Sequence, residues 1–329
     1  MASPASSPAS ASASPASASP ASSASASYLR SYLREGYVVL REFASSEEVS
    51  KLRSRASEIM LAFSSSSSEE DGSAPHVFTT RDNKQSTTSD DYFLSSAHKV
   101  SCFLEEDAVD AEGNILVPQI DLAINKIGHA MHDVDPVFRE FSRSDKIKQV
   151  CRTVGVKNAT PVQSMYICKQ PRIGGEVKVH QDSTFLATEP TPTCVGLWLA
   201  LEEAHEKNGC LWVLPKSHNT EIARRFRRRA SRGGSGLGEK ENDPTGTGPV
   251  YFDAPLPDYT LDDFIPVPVQ AGDMVLLNGA LVHMSYPNTS SSSRHAYSLH
   301  VVDGSQTWSA DNWLQRPPTT PFEPFEPLE

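Results

Sequence analysis

Hydrophobic residues change their spacing along the chain near Pro161, and the structure they predict changes with it. Before that point the helical period dominates. The segment "YLRSYLREGYVVLREF", from Tyr28, reads as a helical turn or two, a stop at Gly36 and a short strand, "YVVL". In "SSEEVSKLRSRASEIMLAF", Val49, Leu52, Ala56, Ile59 and Phe63 share one helical stripe, and Ser45 and Glu48 have capping-box spacing. That stripe predicts a helix packed on the core. The run at 64–73, "SSSSSEEDGS", reads as a polar loop, and "LEEDAVDAEGNILVP" as a hairpin-like excursion around Gly113 and Asn114. Residues 121–151 have helical periodicity broken at Pro136, so an α-helical N-terminal half is expected.

Beyond Pro161 the apolar runs shorten: "VQSMYICKQ", "VKVHQDSTFL", "CVGLWLALEEA", "GCLWVLPKS", "VPVQAGDMVLL", "ALVHMSY" and "HAYSLHVV", parted by Gly, Pro, Asn and Ser clusters. Such spacing predicts a sandwich or jelly roll. One long interruption, 224–249, has the glycine and charge content of a mobile insertion between strands. The expected domain spans 28–315, followed by a Pro-rich tail over 316–329. Residues 1–27 hold only Met, Ala, Ser and Pro, too little apolar surface to offset the entropy of ordering, so a disordered tail is expected. A transit peptide is the competing reading of that acid-free, Ser-rich stretch, although the first arginine comes only at Arg30.

Composition narrows the class. A chain of 329 residues can bury a sizeable core, here expected as one domain, and 30 basic against 41 acidic residues (net −11) argue against binding nucleic acid. Five cysteines without a C-x-x-C pair suggest neither a disulfide framework nor a thiolate zinc site. No apolar run reaches the ~20 residues of a membrane span. The chain ends "FEPLE" rather than in a peroxisomal S-K-L, so a cytoplasmic location is expected.

Candidate chemistry begins at "VHQDSTF". On a strand, residues two apart face the same way, so His180 and Asp182 should converge. Alone, the pair fits a structural hydrogen bond, an acid/base pair or two metal ligands. A third ligand should come from a distant strand, and His283 in "GALVHMSYP" is the candidate. Two histidines and a carboxylate on one face of an octahedral ion form the facial triad of non-haem Fe(II) oxygenases, which leaves sites for a 2-oxo acid and dioxygen. A cosubstrate with a distal carboxylate then needs a cation. Arg294, eleven residues after His283, is expected to open the neighbouring antiparallel strand, with Ser298 on the same face. Zinc hydrolysis on the same ligands and a non-catalytic cupin-like binding module are the rival readings.

At this point the residues resemble the phytanoyl-CoA dioxygenase family, closest to its domain-containing subgroup. The matching stretches are "DYFLSS", "INKIGHAMH", "QSMYICKQPRIGGEVKVHQDSTFL", "NGCLWVLPKSH", "VHMSYPN" and "NWLQ". The resemblance implies a mainly β, double-stranded β-helix (jelly-roll, cupin-like) core with flanking helices, and Fe(II) on His180, Asp182 and His283. It further implies 2-oxoglutarate contacts from Lys126, Met165, Gln181, Trp198, Arg294 and Ser298, with dioxygen as oxidant and ascorbate in support. Pattern alone makes Lys126 a solvated helix lysine and Met165 and Trp198 core residues. Asp182 stands where halogenating relatives of this fold carry a small residue, so hydroxylation of a small-molecule or acyl-type substrate is expected. His129 and His132, three apart on an expected helix, have no third ligand at recognisable spacing and read as structural or pocket-lining. The six arginines between Arg224 and Arg232 read as a solvated loop, with phosphate binding as the alternative.

Overall fold

The structure is a computed structural model that describes residues 20–67, 76–81, 84–229 and 248–326. Its strands are β1 (Tyr37–Leu40), β2 (Val77–Phe78), β3 (Val100–Glu105), β4 (Ile124–His129), β5 (Ala159–Ile167), β6 (Val177–His180), β7 (Thr188–Glu189), β8 (Val195–Ala200), β9 (Leu211–Val213), β10 (Phe226–Arg228), β11 (Val250–Phe252), β12 (Ile265–Val267), β13 (Met274–Asn278), β14 (His283–Ser285), β15 (Ala296–Asp303) and β16 (Thr307–Trp308). Eight of them form one large sheet in the order β1-β13-β8-β15-β5-β4-β3-β2, and four form a smaller sheet in the order β12-β9-β14-β6. From β5 on the chain crosses repeatedly between these two sheets (β5 to β6, β8 to β9, β12 to β13 to β14 to β15), with β7–β16 and β10–β11 as separate two-stranded pairs, so the cavity lies between the faces of a jelly roll.

The pleat divides the large sheet's side chains into two sets. One set, including Leu197, Leu199, Tyr297, Leu299 and Val301, packs with Leu52, Ala56, Phe138 and Ile147 from the helices in a continuous core. The helix Ser46–Ser67 supplies the expected stripe, and its capping box forms: Ser45 N donates to Glu48 Oε2 (2.8 Å) and Glu48 N to Ser45 Oγ (3.2 Å). The opposite set faces the cavity. There Trp198, Ser298, Met165 and Gly128 stand in register across β8, β15, β5 and β4.

Several expectations are corrected. The N-terminal half is not simply α-helical, because β3 and β4 extend the large sheet and Ile124–His129 is strand rather than helix. Both faces of β4 are buried, which erases the polar alternation that would mark a strand. The excursion at 113–114 does close, through a bridge between Val109 and Ile115. The helix expected to end before Ser64 runs to Ser67, and the first helix begins at Pro20, inside the Ala/Ser/Pro stretch; residues 1–19 lie outside the described residues.

The insertion expected at 224–249 begins as structure: β10 pairs antiparallel with β11, and Arg227 binds Asp253 and Asp311. Residues 230–247 of it lie outside the described residues. The Pro-rich segment after 316 also packs: Phe325 N donates to Ala159 O, and Arg316 and Arg143 both pair with Asp133. Among the described residues no helix is long and apolar enough to cross a membrane.

Candidate active site

His180 ends β6, and Gln181 continues in extended conformation before Asp182 opens a 3-10 turn, so the alternation persists and both side chains turn inward. Antiparallel pairing of β14 with β6 puts His283 directly opposite His180. The two rings lie 4.2 Å apart by centroids. Asp182 Oδ1 is 3.6 Å from His180 Nε2 and 3.7 Å from His283 Nε2, too long for hydrogen bonds. The three donor atoms fall within 4.8 Å of one another, the only such His/Cys/Asp/Glu group among the described residues.

The tautomers follow from the backbone. His180 Nδ1 is 2.8 Å from Lys178 O and His283 Nδ1 is 3.0 Å from Leu281 O. A carbonyl only accepts, so each Nδ1 carries the proton and each Nε2 turns a lone pair to the centre. Burial and the nearby His180 push His283 down to about 4, which keeps its imidazole neutral. Burial works to raise the Asp182 carboxyl, but His300 and His283 hold it well below its usual range. Two neutral imidazoles and one carboxylate fit a divalent ion of the iron type.

His300, which the sequence reading missed, sits beside them. Its Nε2 is 3.3 Å from Asp182 Oδ2, yet Oδ2 and His300 Nδ1 have no hydrogen-bond partner among the described residues. The signal was present in "YSLHVV": His300 lies two residues beyond Ser298 and therefore on the same face.

Arg294 enters from the other sheet. Strand β15 pairs with β5 and β8, not with β14, so the neighbouring-strand expectation is corrected: the chain crosses the cavity between His283 and Arg294. Arg294 is 1% exposed; its Nε donates to Gly209 O (3.1 Å), and its buried Nη1 has no acceptor among the described residues. A planar donor fork so placed suits a carboxylate.

One cavity of about 170 Å³ is lined by the triad together with Lys126, Met165, Trp198, Arg294 and Ser298. Lys126 is buried, its Nζ 3.0 Å above the Phe78 ring, and burial lowers its pKa well below the ordinary lysine value. Gln181 is the exception. Alternation turns it away: Nε2 donates to Ala280 O (2.8 Å) and Oε1 accepts from Ala223 N (2.9 Å), so it braces loops behind the ligands. His129 and His132 do not form a second centre. His129 lines the cavity and bonds Ser96 Oγ (2.6 Å), whereas His132 bonds Ser164 Oγ (2.8 Å).

A profile of the phytanoyl-CoA dioxygenase (PhyH) family matches residues 32–296. The chain belongs to this family. The phytanoyl-CoA dioxygenase of Arabidopsis thaliana is 42% identical over 284 residues, covering 86% of this chain and 90% of the relative. Phytanoyl-CoA dioxygenase 1 of Oryza sativa subsp. japonica is 44% identical over 298 residues, covering 90% and 96%. Phytanoyl-CoA dioxygenase domain-containing protein 1 of Mus musculus is 39% identical over 300 residues, covering 90% and 97%.

Among solved structures, the epimerase SnoN in complex with Fe3+, alpha ketoglutarate and nogalamycin RO superposes with a TM-score of 0.56 at 14% identity, covering 92% of this chain and 93% of that one. EctD from S. alaskensis with 2-oxoglutarate and 5-hydroxyectoine gives 0.54 at 18%, covering 86% and 78%. At such identities these likenesses bear on the fold, which is the double-stranded β-helix that the family resemblance implied. The family member described here keeps a His-Asp-His group at the centre of that fold.

Proposed function

We propose that the protein is an Fe(II)- and 2-oxoglutarate-dependent dioxygenase that hydroxylates a C–H bond of an organic substrate. The observation that carries this reading is the pairing, in one cavity, of the buried His180/Asp182/His283 group with an Arg294 guanidinium whose buried Nη1 has no acceptor among the described residues. A hydrolytic metal site has no need of the second feature. The balanced reaction takes substrate R–H, dioxygen and 2-oxoglutarate to R–OH, succinate and carbon dioxide, one oxygen atom entering succinate and the other the product. The iron supplies the redox chemistry when bound.

The chain's own residues hold and orient. His180 and His283 offer Nε2 with Nδ1 anchored on backbone, and Asp182 offers Oδ1. Arg294 takes the distal carboxylate of 2-oxoglutarate, with Ser298 beside it, while Trp198, Met165 and the Lys126 stem shape the walls and exclude water. Gln181 contributes from behind rather than by contact. The cosubstrates named with the SnoN and EctD structures support this reading by analogy of fold. Ascorbate serves as the supporting reductant, the substrate is a small molecule or acyl-type compound, and no nucleic acid is involved. Five buried free thiols agree with residence in a reducing compartment such as the cytoplasm.

The test is succinate formation from 2-oxoglutarate by the purified protein with Fe(II), ascorbate and dioxygen. Slow substrate-independent turnover is expected, falling at least about a hundredfold in Asp182→Ala, since metal sites that lose a ligand lose more than the 10–100-fold of a lost supporting group. Undiminished turnover in that variant contradicts the assignment.

A further inference from the structure

The arginine run does not lie wholly in solvent. Arg224, just before β10, is only 8% exposed and lines the same cavity as the triad. Its Cζ stands 3.7 Å from the centroid of Phe252 on β11. Phe252 meets Phe185 at 6.1 Å, and Phe185 meets His180 edge-on at 5.9 Å. An aromatic path thus leads from the metal ligands to a buried guanidinium.

The neighbouring arginines are engaged. Arg225 bonds Asp311 and Asn312, Arg227 bonds Asp253 and Asp311, and Arg229 bonds Gly248 O. Arg224 is the buried member of this run, and its side chain has no hydrogen-bond acceptor among the described residues. Removing a cation from water without giving it an acceptor is unfavourable. Such a cost is retained where a ligand repays it.

We infer that Arg224 binds the carboxylate of the primary substrate, a compact organic monoanion whose apolar body lies along Phe252 and Phe185 toward the metal ligands. This rests on the proposed function and adds a substrate class to it. The planar guanidinium binds a carboxylate bidentately, and the rings between it and the metal ligands, Phe252 and then Phe185, select an apolar body over a hydrated one. The charge suits a carboxylate better than a phosphate monoester, because Asp253 already acts on Arg224 and would repel a second negative charge. Arg294 is committed to the cosubstrate, so the two guanidiniums divide the two anions between them.

Calorimetric titration of octanoate, 1-octanol and octyl phosphate into the full chain, loaded with Ni(II) and saturated with 2-oxoglutarate, tests this. Octanoate is expected to bind at least tenfold more tightly than octanol and no more weakly than octyl phosphate. Arg224→Gln should erase the preference for octanoate over octanol, and Arg224→Lys should restore part of it. Absence of that preference in the parent protein, including no octanoate binding at all, overturns the inference, as does its survival in Arg224→Gln. Octyl phosphate binding tenfold more tightly than octanoate overturns the choice of carboxylate. Titration of 2-oxoglutarate itself into the same Ni(II) protein separates the two levels: no binding there sinks the functional reading, whereas binding without an octanoate preference sinks only this inference.

Discussion

A methyl group added at Gly196 would stand 2.8 Å from Asp182 Oδ2, closer than side-chain carbons normally come to any atom. That oxygen is buried and has only the poorly aligned His300 for company. It cannot retreat without rotating Oδ1 out of the triad. Gly196→Ala should therefore leave the fold intact, since the clash is with one carboxylate rather than with backbone, yet lower Fe(II) affinity about 10–100-fold, the range seen when a ligand's support is disturbed. Metal content after dialysis and the thermal midpoint together check this: parental iron retention in a well-folded variant would show that Asp182 is not held as described. The convergence of His180 and Asp182 was legible from spacing, because strand alternation needs only the local sequence, whereas His283 was found only as a third ligand sought on a distant strand. Alternation from Ser298 put His300 on the cavity face, but its approach to Asp182, like that of Gly196, depends on a partner in another segment and was not legible.

The Ser46–Ser67 helix shows how local signals carry at the scale of an element. Its cap and stripe follow from residues three and four apart, and both form. Glu48 also meets Lys146 Nζ at 2.5 Å. Burial would raise its carboxyl, but Lys146 and the Ser45 backbone hold it below the usual range. A carboxyl depressed in the folded state stabilises fully above its unfolded value of about 4.3 and ceases to as pH falls through the lower folded value. Glu48→Gln should thus lower the thermal midpoint most near neutral pH and converge on the parent in acid. A midpoint difference unchanged with pH would mean the charge is not what matters. Strand β4 is the contrasting element. Lys126 looked like a solvated helix residue because nothing near it in sequence reports that β3 and β5 flank it and that Phe78 covers its ammonium. The β10–β11 pairing was hidden for a similar reason: its acidic partners Asp253 and Asp311 lie far along the chain from Arg227.

Across the whole molecule, the large sheet separates two jobs. One face is welded to the helices by an apolar core, and the other, roofed by the small sheet, holds the charged groups. A rigid scaffold of this kind brings His180 and Asp182, His283, and Arg294 together from three separate segments of the chain. Periodicity narrowed the β half to a sandwich or jelly roll, and family likeness chose between them and supplied Trp198, Met165 and Lys126, which no spacing rule would have chosen. The assignment of strands to sheets lay beyond both, which is why Arg294 was expected beside β14 when it reaches the cavity from the far side. The central claim is that the triad and Arg294 bind iron and 2-oxoglutarate together at this one place. Anaerobic titration of the Fe(II) protein with 2-oxoglutarate, followed by visible charge-transfer absorption, tests it most directly. The account predicts a saturable band in the parent, none in His283→Ala, and in Arg294→Ala the same band at least about tenfold higher in 2-oxoglutarate, as the loss of a charge-assisted pair of ~1.5–3 kcal/mol requires. A band that saturates equally well in parent and Arg294→Ala, or one that survives in His283→Ala, would contradict it.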